Sequence, residues 1–266
     1  VAVGEDPTRP EDVRRIATSN NPLETVAEVV SYFEARGPLA ALGVATFGPV
    51  DFAAGAIGKT PKLAWQDFPL KGALERALRV PVGFDTDVNG AALGEVRYGA
   101  GRGLESFVYV TVGTGIGGGA VVNGRTIHGK LHPEMGHLLV RRHAEEPDGF
   151  AGVCPFHGDC LEGMACGPAL RERWGCAAEE LPEGHTGWRL EAYYMAQLCH
   201  SLACTLSPQA VALGGGVMSK EFLLPMIRAQ LDDMLVGYVE APELVAPALP
   251  LPGLTGAFVL AEEAAR

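Results

Sequence analysis

Three short apolar runs constrain the fold of this chain more than any other feature, because each runs directly into glycine. They are ALGVATFG from Ala41, SFVYVTVG from Ser106 and AVALGGGV from Ala210. Runs of this length, bounded by glycine, read as buried strands. A fourth strand, VPVGFDTD, delivers Asp85 and Asp87 at its end. Helical spacing of apolar residues fills the intervals: residues 22–33, WQDFPLKGALERALRV, VNGAALGEVRYG, LEGMACGPALRERWG, WRLEAYYMAQLCHSLACTL and SKEFLLPMIRAQLDDML. Strands alternating with helices define an α/β protein. Two α/β lobes with a cleft between them fit this order, and 266 residues with 47% apolar content are enough to build their cores.

Composition then removes several classes of function. The chain carries 21 Lys and Arg against 32 Asp and Glu, a formal charge of -11. Nucleic-acid binding is not expected, because phosphate recognition needs clustered basic residues and none is visible. No membrane association is expected either, since no run of about eighteen apolar residues occurs. VAVGEDPTRPEDVRR has no signal-peptide pattern, so the sequence reads as soluble and cytoplasmic. The six cysteines, all in the second half, are therefore read as metal ligands or buried thiols rather than disulfides.

Gly113-Thr114-Gly115-Ile116-Gly117-Gly118-Gly119 opens directly from a strand. Glycines there let backbone N–H groups approach an anion without a Cβ in the way. It is not a Walker A loop, for no Gly-Lys-Ser/Thr closes it, and the next segment reads as a strand, which disfavours a nicotinamide fold. A glycine-rich hairpin is the plainer alternative. Gly214-Gly215-Gly216, between a strand and a helix, can equally be a tight turn or a close approach to a flat ligand. Two such loops in one chain favour a nucleotide.

Asp87 falls where a strand yields to a helix, a place where α/β folds bind ligands, so its carboxylate is a candidate base. Helix capping is the strong alternative. Further on, CPFHGDCLEG places Cys154, His157 and Cys160 at three-residue intervals in a turn-rich segment. Zinc takes four N or S ligands in structural sites, and a close group plus one distant ligand is the usual arrangement. His137 and His143 both qualify as the fourth; His143 is favoured, because the ten residues between it and Cys154 form a loop the metal can close.

FGPVD, TPKLAW, DTDVNGAALGE, TVGTGIGGGAVVNG, HPEMGH, CPFHGDCLEGMACGPAL and LGGGVM occur in order along nearly the whole chain. In these the sequence resembles the ROK family of sugar kinases and sugar-sensing repressors. His157, where most of the family has cysteine, resembles its bacterial fructokinase branch. The resemblance implies an actin-like, ribonuclease-H-like pair of lobes that close on ATP and a hexose, with Mg2+ on the nucleotide. It assigns residues 1–98 plus 252–266 to an N-terminal lobe and 99–251 to a C-terminal lobe.

Asp87 matches the family's catalytic base. Glu134, His137 and Glu162 match sugar-contacting positions, and His143, Cys154, His157 and Cys160 match ligands of a structural Zn2+. Gly113, Thr114, Gly115 and Gly117 match a phosphate loop, and Gly214, Gly215 and Gly216 the loop on the nucleotide side. Fructose is the implied hexose, with glucose, mannose and N-acetylhexosamines as alternatives, and a homodimer is the implied assembly. A sugar-responsive repressor is the rival from another class, but no basic recognition helix is visible. A non-catalytic sugar-binding homologue is the third reading. The family opens with a strand and an Asp/Glu-x-Gly-Gly-Thr-Lys loop, and residues of that kind are expected ahead of Val1. The join between Ala54 and Lys59 and the stretch before GLTGAFVLA read as abbreviated.

Overall fold

The computed structural model describes residues 1–266. The elements begin with α1 (Pro22–Glu34), β1 (Leu42–Thr46), β2 (Val50–Asp51), β3 (Ala56–Ile57), α2 (Leu70–Leu78), β4 (Val82–Thr86) and α3 (Asp87–Tyr98). They continue with β5 (Ser106–Val112), β6 (Ile116–Val122), β7 (Arg125–Thr126), α4 (Leu161–Ala165), α5 (Gly167–Trp174) and α6 (Thr186–Thr205). The last are β8 (Ala210–Gly214), α7 (Leu223–Leu235), β9 (Glu243–Val245) and α8 (Pro252–Ala264). Two compact units result. The first comprises residues 1–103, 126–133 and 248–266, and the second comprises 104–125 and 134–247. Residues 126–133, read from sequence as part of the C-terminal lobe, thus belong with the first unit, because the buried Asp85 carboxylate holds Thr126 and His128 there.

In the first unit β1 and β4 pair in parallel from Leu42↔Val82 to Thr46↔Thr86, so both strands end at one level. A parallel pair needs a crossover; here β2, β3 and α2 supply it. Val26, Tyr32, Phe33, Leu42, Ile57, Trp65, Leu70, Leu74 and Val82 form the core beneath them. Helix α8 lies against β1, β4 and α3 at a distance only glycine permits. A Cβ on Gly43 would sit 1.6 Å from Ala257 O, and one on Gly256 would sit 1.7 Å from Gly90 O. Buried Glu95 on α3 accepts from the backbone N–H groups of Ala100, Ala248 and Leu249 at 2.6, 3.1 and 2.9 Å. Those bonds fix the chain where it re-enters this unit.

The second unit is built on a five-stranded sheet of order β7-β6-β5-β8-β9. β5 pairs with β6 antiparallel and with β8 parallel, and its Phe107, Val108 and Val110 have no exposed surface. Helices α6 and α7 pack together and contribute Trp188, Tyr194, Met195, Ile227 and Leu231 to the interior. Helix boundaries differ from the sequence reading where proline or glycine intervenes. The helix read from Trp65 starts at Leu70, just after Pro69, which lacks the N–H a helix interior needs. The single helix read over 161–175 is two, broken at the extended Cys166 ahead of Gly167-Pro168.

Glu191, on α6, is fully buried, and neither carboxylate oxygen has a hydrogen-bond partner. Burial pushes its carboxyl up to about 8, with the Arg173 guanidinium opposing. Between about pH 4.5 and 8 the unfolded chain therefore releases this proton while the folded chain keeps it. The contribution to stability is present below the unfolded pKa and is lost as pH rises to the folded one. Glu191→Gln is expected to lose less stability than the parent between pH 5 and 8, by on the order of a few kcal/mol in denaturant titrations. Parallel pH profiles of the two proteins would contradict this.

Candidate active site and metal centre

Asp87 is the first residue of α3 and is exposed. Capping does not account for it, because the cap belongs to its neighbour. Thr86 has extended backbone angles, and its Oγ1 accepts from Asn89 N–H at 3.2 Å. The Asp87 carboxylate accepts from Val88 N–H at 2.9 Å and lies in the first turn, where the helix dipole favours a negative charge. It borders a cavity of about 1020 Å3 within the first unit, whose walls include Thr46, Phe47, Lys62 and Gly253.

The glycine run of the second unit divides into a turn and a strand. Only Gly113, Thr114 and Gly115 form the connection, closed by Gly113 N–H donating to Gly115 O at 2.9 Å. Gly117 lies inside β6, opposite Thr111, so the sequence reading of a loop through Gly117 is too long. Its neighbour Gly118 is glycine for packing, since a Cβ there would meet Met135 Sδ at 2.6 Å. At Gly115 the obstacle would be the Glu162 carboxylate, 2.5 Å away. Glu162 Oε2 accepts from Ile116 N–H at 2.9 Å, so this carboxylate is fixed against the turn. The second glycine cluster begins at Gly214, the last residue of β8, which runs beside β5 with Thr111 opposite Gly214. Gly215, at φ +95, packs on the Val112 backbone, whereas Gly216 and Gly113 face open space.

His137, Cys154, His157 and Cys160 converge, with one ligand atom from each lying within 4.8 Å of all the others. His137 Nδ1 is 3.7 Å from Cys154 Sγ and 3.5 Å from Cys160 Sγ, and His157 Nδ1 is 3.7 Å from Cys154 Sγ. A tetrahedral zinc with ordinary Zn–S and Zn–N bonds places N and S about 3.6 Å apart, so the donor set and its spacing both fit that ion. His143, the fourth ligand favoured from sequence, is elsewhere. Its Nδ1 accepts from Glu145 N–H at 3.1 Å, and its ring meets Tyr193 edge-on. His137 takes the place because Leu161 N–H donates to Leu138 O and Leu139 bridges to Cys160, which brings residues 137–139 beside the cysteine loop. The loop is braced from outside by Arg142, which bonds Phe150 O and approaches Asp159 at 3.5 Å. Arg173 bonds Met164 O at 2.7 Å and Glu146 at 2.5 Å.

Of the other predicted sugar contacts, Glu134 is exposed at the start of the short turn Met135–His137. Sequence reasoning noted Asp85 only as a strand-end carboxylate and missed His128. Asp85 is buried and accepts from Thr86 N–H, Asn89 Nδ2, Thr126 Oγ1 and His128 Nε2. No local signal marks His128, since its partner lies 43 residues away.

Comparison with known proteins places this α/β fold, with its strand-end carboxylate, glycine turns and Cys/His cluster, in the actin-like sugar-kinase class. The chain belongs to the ROK family, whose model matches residues 9–264. It is 41% identical over 239 residues to a fructokinase of Lactococcus lactis subsp. cremoris, covering 88% of this chain and 81% of that protein. It is 40% identical over 266 residues to a fructokinase of Zymomonas mobilis, covering 94% and 88%. The crystal structure of a ROK family glucokinase from Streptomyces griseus, in complex with glucose and AMPPNP, superposes with a TM-score of 0.80 at 26% identity, covering 98% of this chain and 95% of that one. No helix is long and apolar enough to cross a membrane.

Proposed function

We propose that this protein transfers the γ-phosphoryl group of ATP to a hexose, converting D-fructose to fructose 6-phosphate, with Asp87 as general base. The observation that carries the reading is Asp87 itself: an exposed carboxylate at the end of the β1–β4 pair that its helix does not need as a cap. Likeness to fructokinases at 40 and 41% identity supports fructose as the sugar. In the reaction the 6-hydroxyl oxygen attacks the γ-phosphorus, its proton passes to Asp87, and the bond from that phosphorus to the bridging oxygen breaks to release ADP. Mg2+ on the nucleotide would neutralise phosphate charge.

Glu134 and Glu162 are assigned to the sugar, and so is His137 through Nε2, since its Nδ1 faces the two cysteines. Glu162 has one oxygen on Ile116 N–H, which leaves Oε1 for a hydroxyl. Gly113, Thr114 and Gly115 and the cluster Gly214 to Gly216 are assigned to the nucleotide; open space at Gly113 and Gly216 supports close approach of phosphate there. His137, Cys154, His157 and Cys160 would hold a structural Zn2+ with no vacancy for water. None of the six cysteines is paired in a disulfide, and a cytoplasmic homodimer completes the proposal.

The test is ADP release by the full-length protein with Mg-ATP and fructose, glucose, mannose or N-acetylglucosamine in turn. Fructose is expected to give a kcat/KM at least about tenfold above any other sugar, since a site that hydrogen-bonds particular hydroxyls discriminates strongly. Equal values for glucose would remove the fructose assignment, and no sugar-dependent release would favour a sugar-binding regulator.

A further inference from the structure

Asp85 is a buried charge that the proposed chemistry does not use, and its partners are unusual in what they hold. Its side chain is 3% exposed. Oδ1 accepts from Thr86 N–H at 2.7 Å and Asn89 Nδ2 at 2.8 Å, and Oδ2 from Thr126 Oγ1 at 2.9 Å and His128 Nε2 at 3.0 Å. The first two donors flank Asp87 in the first turn of α3. The other two come from residues 126–133, a segment that is also held where the His132 ring fills the place a Cβ on Gly48 would take, 2.6 Å from its Cε1. Because a carboxylate oxygen only accepts, His128 must carry its proton on Nε2. The imidazole is held in that orientation by Phe52, with ring centroids 3.8 Å apart.

Burying a carboxylate is costly, and an apolar pair in the same space would stabilise the fold as well or better. What an apolar pair cannot do is bond Thr86 and Asn89 at once and so fix the turn that aims Asp87. We propose that Asp85 and His128 are positioning residues for phosphoryl transfer: His128 Nε2–H holds the Asp85 carboxylate, which sets the first turn of α3 and through it the direction of the Asp87 carboxylate. The proposal rests on the reading of Asp87 as the base. A misplacement of about 1 Å at a reacting group costs about a hundredfold in rate, so the effect should be large for residues that need not touch substrate.

The experiment compares His128→Phe, which keeps a ring on Phe52 but removes the donor, with His128→Gln, whose amide keeps one. Both are made in the parent and in Asp87→Asn, with kcat expressed per folded molecule and the slow variants followed at high enzyme concentration. His128→Phe is expected to lower kcat about 10- to 100-fold with KM for ATP within about twofold, and His128→Gln to restore it to within about threefold. In the Asp87→Asn background His128→Phe should change the rate less than about twofold, because residues acting as a unit are not additive. The same loss in both backgrounds, or a lowered melting temperature with unchanged kcat, would overturn the proposal while leaving Asp87 as base. Near-normal turnover of Asp87→Asn alone would overturn both. Should His128→Phe not fold, Thr126→Val removes one donor at constant shape; a drop in kcat of at least about threefold supports the proposal, and no drop counts against it.

Discussion

Asp87→Asn is expected to lower kcat by about 10²- to 10⁴-fold while KM for the sugar changes by no more than a few-fold. The substitution keeps size and shape but removes the lone pair that takes the hydroxyl proton. The fold should tolerate it, because Thr86 rather than Asp87 caps α3, so the melting temperature should stay within a few degrees. That combination separates a base from a structural residue. A capping residue would show the opposite pattern, a stability loss of about 1 kcal/mol with activity per folded molecule intact. Turnover within a few-fold of the parent would remove Asp87 from the chemistry.

Loss of the metal is the second large effect expected. Chelation, or Cys160→Ser, should lower the melting temperature by on the order of 10 °C, since a structural ion contributes directly to folding and a few kcal/mol shifts a domain of this size by that much. Sugar affinity should fall with it. Cys160 is followed directly by α4, whose second residue, Glu162, is bonded to Ile116 at the glycine turn, so loosening the cluster loosens that carboxylate. His137→Ala should lose the metal, measured by elemental analysis, and His143→Ala should retain about one equivalent. Metal retained in His137→Ala and lost in His143→Ala would reverse the ligand assignment made from the four converging side chains.

Much of the fold could be read from local chemistry. The strand cores, such as Phe107 to Val110 and Ala210 to Leu213, are continuous apolar runs because neighbouring layers cover both faces, and such runs announce themselves. The convergence of Cys154, His157 and Cys160 was legible for a similar reason: their spacing is local. Which histidine joins them was not. His137 and His143 are both near in sequence, and what decides between them is the pairing of 138–139 with 160–161, a contact across more than twenty residues. Gly117 looked like part of a loop because glycine serves both turns and close packing, and only the neighbour, Met135 against Gly118, shows which applies to that stretch. Asp87 was ambiguous while either it or Thr86 could cap α3. Asp85 was visible only as a strand-end carboxylate and His128 gave no signal, and their contact explains why 126–133 joins the first unit.

The most direct measurement is the fate of the phosphoryl group when full-length protein, Mg-ATP and fructose are combined and followed by phosphorus NMR. One fructose 6-phosphate per ADP, absent when Asp87→Asn replaces the parent over the same interval, is the expected result. Fructose that binds but acquires no phosphate, with ATP intact, would contradict the assignment as a kinase and leave a sugar-binding ROK protein without this chemistry.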